Sequence, residues 1–159
     1  MKKVLVTGAT GFLGKYVVEE LVEHGYQVRA FGRNRTIGQS LVNASVTFIQ
    51  GALTNQEDLT MACQEMYMVV HAGALSTVWG PWEDFYQTNV LGTNYVLEAC
   101  REAKIERLVY VSSPSIYAAP RDQLDIKESD APQENRLNNY IRSKLASEKL
   151  FKDYPDVSS

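Results

Sequence analysis

Tyr140 and Lys144 stand four residues apart in LNNYIRSKLASEKL, residues 137–150. On a helix that spacing places both side chains on one face. A phenol is a weak base at neutral pH because its ordinary pKa is about 10, but a neighbouring ammonium favours the phenolate and lowers that value. A tyrosine so placed can take a proton from a substrate hydroxyl or return one to a carbonyl oxygen. The same pair also arises by chance on exposed helix edges, so its meaning depends on what converges on it. Ser112, Ser113 and Ser115 follow the apolar run Leu108–Val111 and offer hydroxyls to hold a substrate oxygen beside the phenol.

A second constellation lies at the other end of the chain. Residues 7–14 read TGATGFLG, between an apolar run and an amphipathic stretch. Gly8 permits a tight turn, Gly11 lets the backbone approach a pyrophosphate, and Gly14 lets helix and strand pack closely. The first N–H groups of the helix, those of Phe12 and Leu13, then face phosphate oxygens. The spacing is GxxGxxG rather than the general GxGxxG. A glycine-rich turn without a ligand is the alternative, and the strand–turn–helix context argues against it.

A dinucleotide site for NAD carries an acidic residue about 20 residues past the glycines, at the end of the second strand. Here the stretch is Phe31-Gly32-Arg33-Asn34-Arg35, with no carboxylate. A guanidinium there pairs with a 2′-phosphate and stacks on adenine. The expected cofactor is therefore NADP, with NAD as the alternative, and Arg33 and Asn34 are placed among its contacts. Two solvated loop arginines are the competing reading.

The elements that must position these residues alternate along the chain. Val4–Thr7, Gln27–Phe31, Val46–Gln50, Met68–His71 and Arg107–Ser112 read as strands. Phe12–His24, Gln56–Cys63, Trp82–Ala103 and Leu137–Asp153 read as helices, the first stopped by Gly25 and the second capped by Thr54 or Asn55. Strands alternating with helices imply a parallel sheet covered on both faces, with order 3-2-1-4-5 and ligands outside the carboxyl ends of the strands. The proline-bearing segment Pro114–Glu134 joins the fifth strand to the last helix as a loop of a length that is usually functional or mobile.

The 159 residues suit one domain with a core of its own, and the net charge of -3 gives no footprint for nucleic acid. Two histidines offer no metal set, and no apolar run reaches a membrane span. Cys63 and Cys100 form no CxxC spacing. These features read as a reduced, cytoplasmic protein acting on a small molecule.

The glycine turn is followed in order by HAGA (71–74), NVLGT (89–93), VYVSSPSIY (109–117) and YxxxK (140–144). This series resembles the extended branch of the short-chain dehydrogenase/reductase superfamily, the NAD-dependent epimerase/dehydratase family. VSSPSIY and STVWGPWEDFYQTNV look more like its 3β-hydroxysteroid-dehydrogenase-like and reductase-like members than its sugar-nucleotide enzymes. The resemblance implies hydride transfer between nicotinamide and a hydroxyl or keto substrate, with Tyr140, Lys144 and Ser113 as the catalytic set. Ser113 holds the family position four residues before Tyr117, and Ser112 stands second. Lys144 would also bond the nicotinamide ribose, and Ala72, Gly73 and Ala74 would let backbone pass beside the cofactor. His71 reads as strand-end packing and Asn89 as a brace. The family's aspartate after the third strand is replaced in Gly51-Ala52-Leu53, leaving backbone contacts from Ala52 or Leu53.

The resemblance also implies a sixth strand, which would begin at Tyr154–Ser159, and a substrate lobe beyond it. This sequence would then be the N-terminal nucleotide-binding part. Helices like those from Trp82 and Leu137 form dimer interfaces in related enzymes, so a homodimer is expected. A nucleotide-sugar epimerase or dehydratase and a noncatalytic NADP-binding module are the alternatives.

Overall fold

Val4, Leu5 and Val6 make a continuous apolar run, the pattern of a strand buried on both faces. In the computed structural model, which describes residues 1–153, this run is the central strand β1 (Lys3–Thr7) of a five-stranded sheet. β2 (Gln27–Gly32) and β4 (Met68–His71) flank it, with β3 (Val46–Gln50) outside β2 and β5 (Arg107–Tyr110) outside β4. Every pairing is parallel and the order is 3-2-1-4-5, the doubly wound Rossmann-type arrangement expected from the alternation. The segment where a sixth strand was expected to begin lies outside the described residues.

The sheet divides the core in two. Leu5, Val69 and Leu108 face one side, where they pack with Leu59, Val96, Leu97 and Cys100. Val4, Val6, Val28 and Val70 face the other, with Val18. The two-residue alternation of a strand thus gives each face its own helical cover. α3 (Gln56–Cys63) and α5 (Gly92–Glu102) cover the first face, and α1 (Phe12–Glu23) covers the second. Cys63 and Cys100 are free and buried in the first cluster, where burial and a hydrogen bond to Cys63 push the Cys100 thiol up; the hydrogen bond is the larger cause.

Local chemistry sets the ends. Gly25, at φ +80°, closes α1, and the N–H of Tyr26 donates to Leu21 O at 3.0 Å. Asn55, rather than Thr54, caps α3 by accepting from the N–H groups of Glu57 and Asp58. A short α2 (Arg35–Ser40) occupies a stretch in which the sequence pattern marks no element, opened by Asn34, whose side chain accepts from Ile37 N at 3.0 Å.

The long helix expected from Trp82 to Ala103 is instead three pieces: α4 (Trp82–Phe85), a π-helical turn (Tyr86–Leu91) and α5. β5 ends at Tyr110, two residues before the expected Ser112. The last helix, α6, spans Asn139–Leu150, opened by Asn138 accepting from Ile141 N, and a 3-10 turn carries the chain to Asp153. The Pro114–Glu134 connection holds two 3-10 turns, Pro114–Tyr117 and Glu128–Asp130.

Candidate active site

The carboxyl ends of β1, β2 and β4 open onto a cavity of about 440 Å³. Its floor is the glycine turn. Gly8 has φ +71°, and a Cβ there would meet Gly73 Cα at 2.6 Å, so the turn and the loop after β4 lie backbone to backbone. A Cβ at Gly14 would meet Gly8 O at 2.1 Å, which is how α1 packs so closely on the turn. At Gly11 a Cβ would meet only Gly8 O, at 3.2 Å, leaving the cavity side open. No side chain caps the first turn of α1 at Gly11, and that turn contains no acidic residue. Its N–H groups and the positive end of the helix are therefore left for an anion.

Tyr140 and Lys144 line the same cavity, so the two constellations share one site. Lys144 is 3% exposed; its Nζ donates to Val111 O at 2.7 Å and lies 4.2 Å from the centre of the Tyr110 ring. Burial lowers its pKa to about 8, against a raising effect from Glu148. Ser112, also in the wall, donates its hydroxyl to the Glu148 carboxylate. Arg33 and Lys144 are the charged residues among those lining the cavity, and no carboxylate joins them.

His71 ends β4 as a packed, neutral residue. Its Nδ1 shares a hydrogen bond with Thr7 Oγ1 at 2.6 Å and its Nε2 with Thr93 Oγ1 at 2.9 Å. Burial first, then the Lys144 charge, lowers its pKa to about 3. Thr7 Oγ1 also accepts from Gly73 N, so this chain of contacts fixes the loop against the turn.

Gly8, Gly11, Phe12, Leu13, Gly14, Arg33, Leu53, Ala72, Gly73, Ala74, Tyr140 and Lys144 all lie in the cavity wall. Asn34 and Ser113 are not among the lining residues. The Asn34 side chain caps α2, while Ser113 Oγ is 2.7 Å from Ser115 Oγ and accepts from Ser115 N. Ala52 lines the cavity, but its N–H is taken by Asp58 Oδ2 at 3.2 Å. Thr10, Ser76, Thr88 and Val111 line the wall without having been marked from sequence. Thr88 lies one residue before Asn89 of the NVLGT motif, which was the available signal.

The family model described as "NAD dependent epimerase/dehydratase family" matches residues 4–157. The chain belongs to that family. It is 38% identical over 154 residues to the 2-alkyl-3-oxoalkanoate reductase of Shewanella oneidensis, covering 97% of this chain and 39% of the relative. It is 35% identical over 158 residues to the decarboxylating sterol-4-alpha-carboxylate 3-dehydrogenase of Mus musculus, covering 98% of this chain and 42% of the relative. The chain thus spans about two fifths of the length of these curated relatives. Among solved structures, the Thermus thermophilus UDP-glucose 4-epimerase complex with NAD superposes with a TM-score of 0.84 at 31% identity, covering 96% of this chain and 50% of that one.

The residues present fit a nicotinamide dinucleotide. An uncapped helix start and an open Gly11 suit the pyrophosphate, Arg33 suits the adenosine end, and Lys144 and Tyr140 line the same cavity. Among the described residues no three His, Cys, Asp or Glu side chains gather as metal ligands, and no helix is long and apolar enough to cross a membrane.

Proposed function

We propose that this chain is the nucleotide-binding part of an NADP-dependent oxidoreductase that interconverts a hydroxyl and a keto group. The observation that carries the reading is the single cavity between the glycine turn and the Tyr140–Lys144 face of α6. A bound nicotinamide supplies the hydride chemistry. The protein supplies the proton transfer. Tyr140 takes the proton from the substrate hydroxyl in oxidation and returns it to the carbonyl oxygen in reduction. Lys144, fixed by Val111 O, holds a positive charge below pH about 8 one helical turn from the phenol. Ser113 holds the substrate oxygen.

Arg33 in the wall and the absence of a carboxylate there favour NADP over NAD. The substrate we infer is a 3-oxo or 3-hydroxy acid on an apolar frame. In both curated relatives' names the reacting carbon stands β to a carboxylate. Val78 and Trp79, exposed in the loop after β4, suit an apolar frame, and Asn139 Nδ2 pins that loop beside Tyr140 by donating to Gly80 O at 2.9 Å. We further propose a homodimer in a reducing, cytoplasmic setting.

A nucleotide-sugar epimerase is the second reading, favoured by the likeness to the UDP-glucose 4-epimerase. Fluorescence titration with NADPH and NADH, followed by presentation of a 2-alkyl-3-oxo acid or UDP-glucose, separates the readings. NADPH binding with ketone reduction is expected. Binding without turnover of either substrate leaves a noncatalytic module, and binding of neither nucleotide overturns the proposal.

A further inference from the structure

α6 carries Tyr140, Lys144 and Glu148 at successive steps of four, a single stripe along the helix. Two of these residues grip the segment that follows β5. Lys144 Nζ donates to Val111 O at 2.7 Å, and the Glu148 carboxylate accepts the hydroxyl of the next residue, Ser112. Val111 and Ser112 both belong to the cavity wall, and Ser113 comes next in the chain. The opposite charges of Lys144 and Glu148 therefore hold the same two-residue stretch from adjacent turns of one helix.

We propose that Glu148 is a positioning residue for the proton-transfer site: it fixes the serine segment against α6 and keeps the Lys144 ammonium charged. This rests on the assignment of Tyr140 and Lys144 as the proton-transfer pair. Glu148 does not line the cavity and reaches it through Ser112 and Lys144. The groups facing Lys144 are His71 from β4, the Tyr110 ring from β5, and Tyr140 and Glu148 from its own helix. His71 is neutral, and burial raises the Tyr110 phenol, so Glu148 supplies the negative charge that opposes desolvation of the ammonium. A buried cation with one opposing carboxylate loses its charge at lower pH when that carboxylate is removed. Ser112, with its hydroxyl hydrogen directed at Glu148, has only lone pairs left to offer to the cavity.

The test is an NMR titration of the whole chain carrying 13C at lysine Cε and glutamate Cδ. It needs neither cofactor nor substrate, so it stands even where the proposed activity fails. In the unsubstituted chain the Glu148 Cδ signal should step at the pH where Lys144 titrates. In Glu148→Gln, which keeps an acceptor for Ser112 but loses the charge, the Lys144 titration should move downward, and Glu148→Asp should move it back. An unchanged Lys144 titration in Glu148→Gln overturns the proposal. Should that variant not fold, absence of the Glu148 step in the unsubstituted chain overturns it equally. In the turnover assay, the alkaline limb of the kcat profile should shift down with Glu148→Gln and recover with Glu148→Asp; a uniform loss without a pH shift would mark a purely structural role.

Discussion

Asn89 donates through Nδ2 to Ser143 Oγ at 2.8 Å, joining the π-helical turn to the helix that carries Tyr140 and Lys144. The same amide clamps Leu75 from both sides, accepting its N–H at 2.7 Å and donating to its carbonyl at 2.9 Å. Ser143 passes the connection on to Tyr140 O, and Ser147 donates to Asn89 O. One buried side chain therefore sets the loop after β4, the π turn and α6 in mutual register. The extra residue of the π turn gives Asn89 this reach, consistent with the use of such bulges at functional sites.

Asn89→Leu should destabilise the fold by about 2–4 kcal/mol, since it leaves the part-buried Leu75 amide and carbonyl without their partner and removes the donor to Ser143 Oγ. Urea unfolding measures it through the midpoint at unchanged slope. A loss below about 0.5 kcal/mol would mean that water replaces the amide at this junction.

Arg33→Ala should weaken NADPH binding by about tenfold to a hundredfold, the scale of one charge-assisted hydrogen bond, and leave NADH within about twofold. Paired fluorescence titrations read both constants. Equal losses for the two nucleotides would remove the 2′-phosphate role and make Arg33 a general contact.

The glycine turn was legible because its demands are local: a positive φ at Gly8 and backbone contact at Gly14 follow from three glycines at fixed spacing. Strand order was legible for the same kind of reason, from apolar runs alternating with helices. What escaped depends on tertiary partners. The break of Trp82–Ala103 at the π turn is set by where Asn89 must reach, which no periodicity records. The segment Arg35–Ser40 has little apolar pattern, and its helix starts on the Asn34 cap. The choice of Ser113 over Ser112 leaned on the family position four residues before Tyr117, whereas which serine enters the cavity wall depends on the irregular chain beyond β5, which ends at Tyr110. Glu148 carried a signal that could have been used: it continues the Tyr140–Lys144 stripe by one more turn.

Tyr140→Phe should lower turnover by about 10²–10⁴-fold while NADPH affinity changes little, since it removes only the hydroxyl proposed to transfer the proton. Ser113→Ala should lower turnover more than Ser112→Ala, because Ser113 is proposed to hold the substrate oxygen whereas the Ser112 hydroxyl is tied to Glu148. Steady-state kcat of the three variants orders them. A larger loss at Ser112 would transfer the substrate-holding role to the serine in the cavity wall.

Lys144 makes stability depend on pH in a defined window. Its native pKa is about 8 because burial penalises the ammonium, against an ordinary value of 10.5 in the unfolded chain. Below pH about 8 both states hold the proton, so this group adds no slope and its desolvation cost is fully present. Between about 8 and 10.5 the unfolded chain binds a proton that the native chain has lost, so stability rises with pH. Lys144→Met should abolish that rise, and the two proteins should diverge by on the order of 3 kcal/mol across the window, the linkage equivalent of the shift. Urea midpoints at pH 7, 8, 9 and 10 for both chains measure the difference, with other lysines and tyrosines cancelling between them. Parallel curves would place the native titration at its ordinary value. The same proton bears on the proposed chemistry: the Lys144 ammonium is lost above pH about 8, so if it serves the proton transfer, turnover should fall over the very interval in which the fold gains stability.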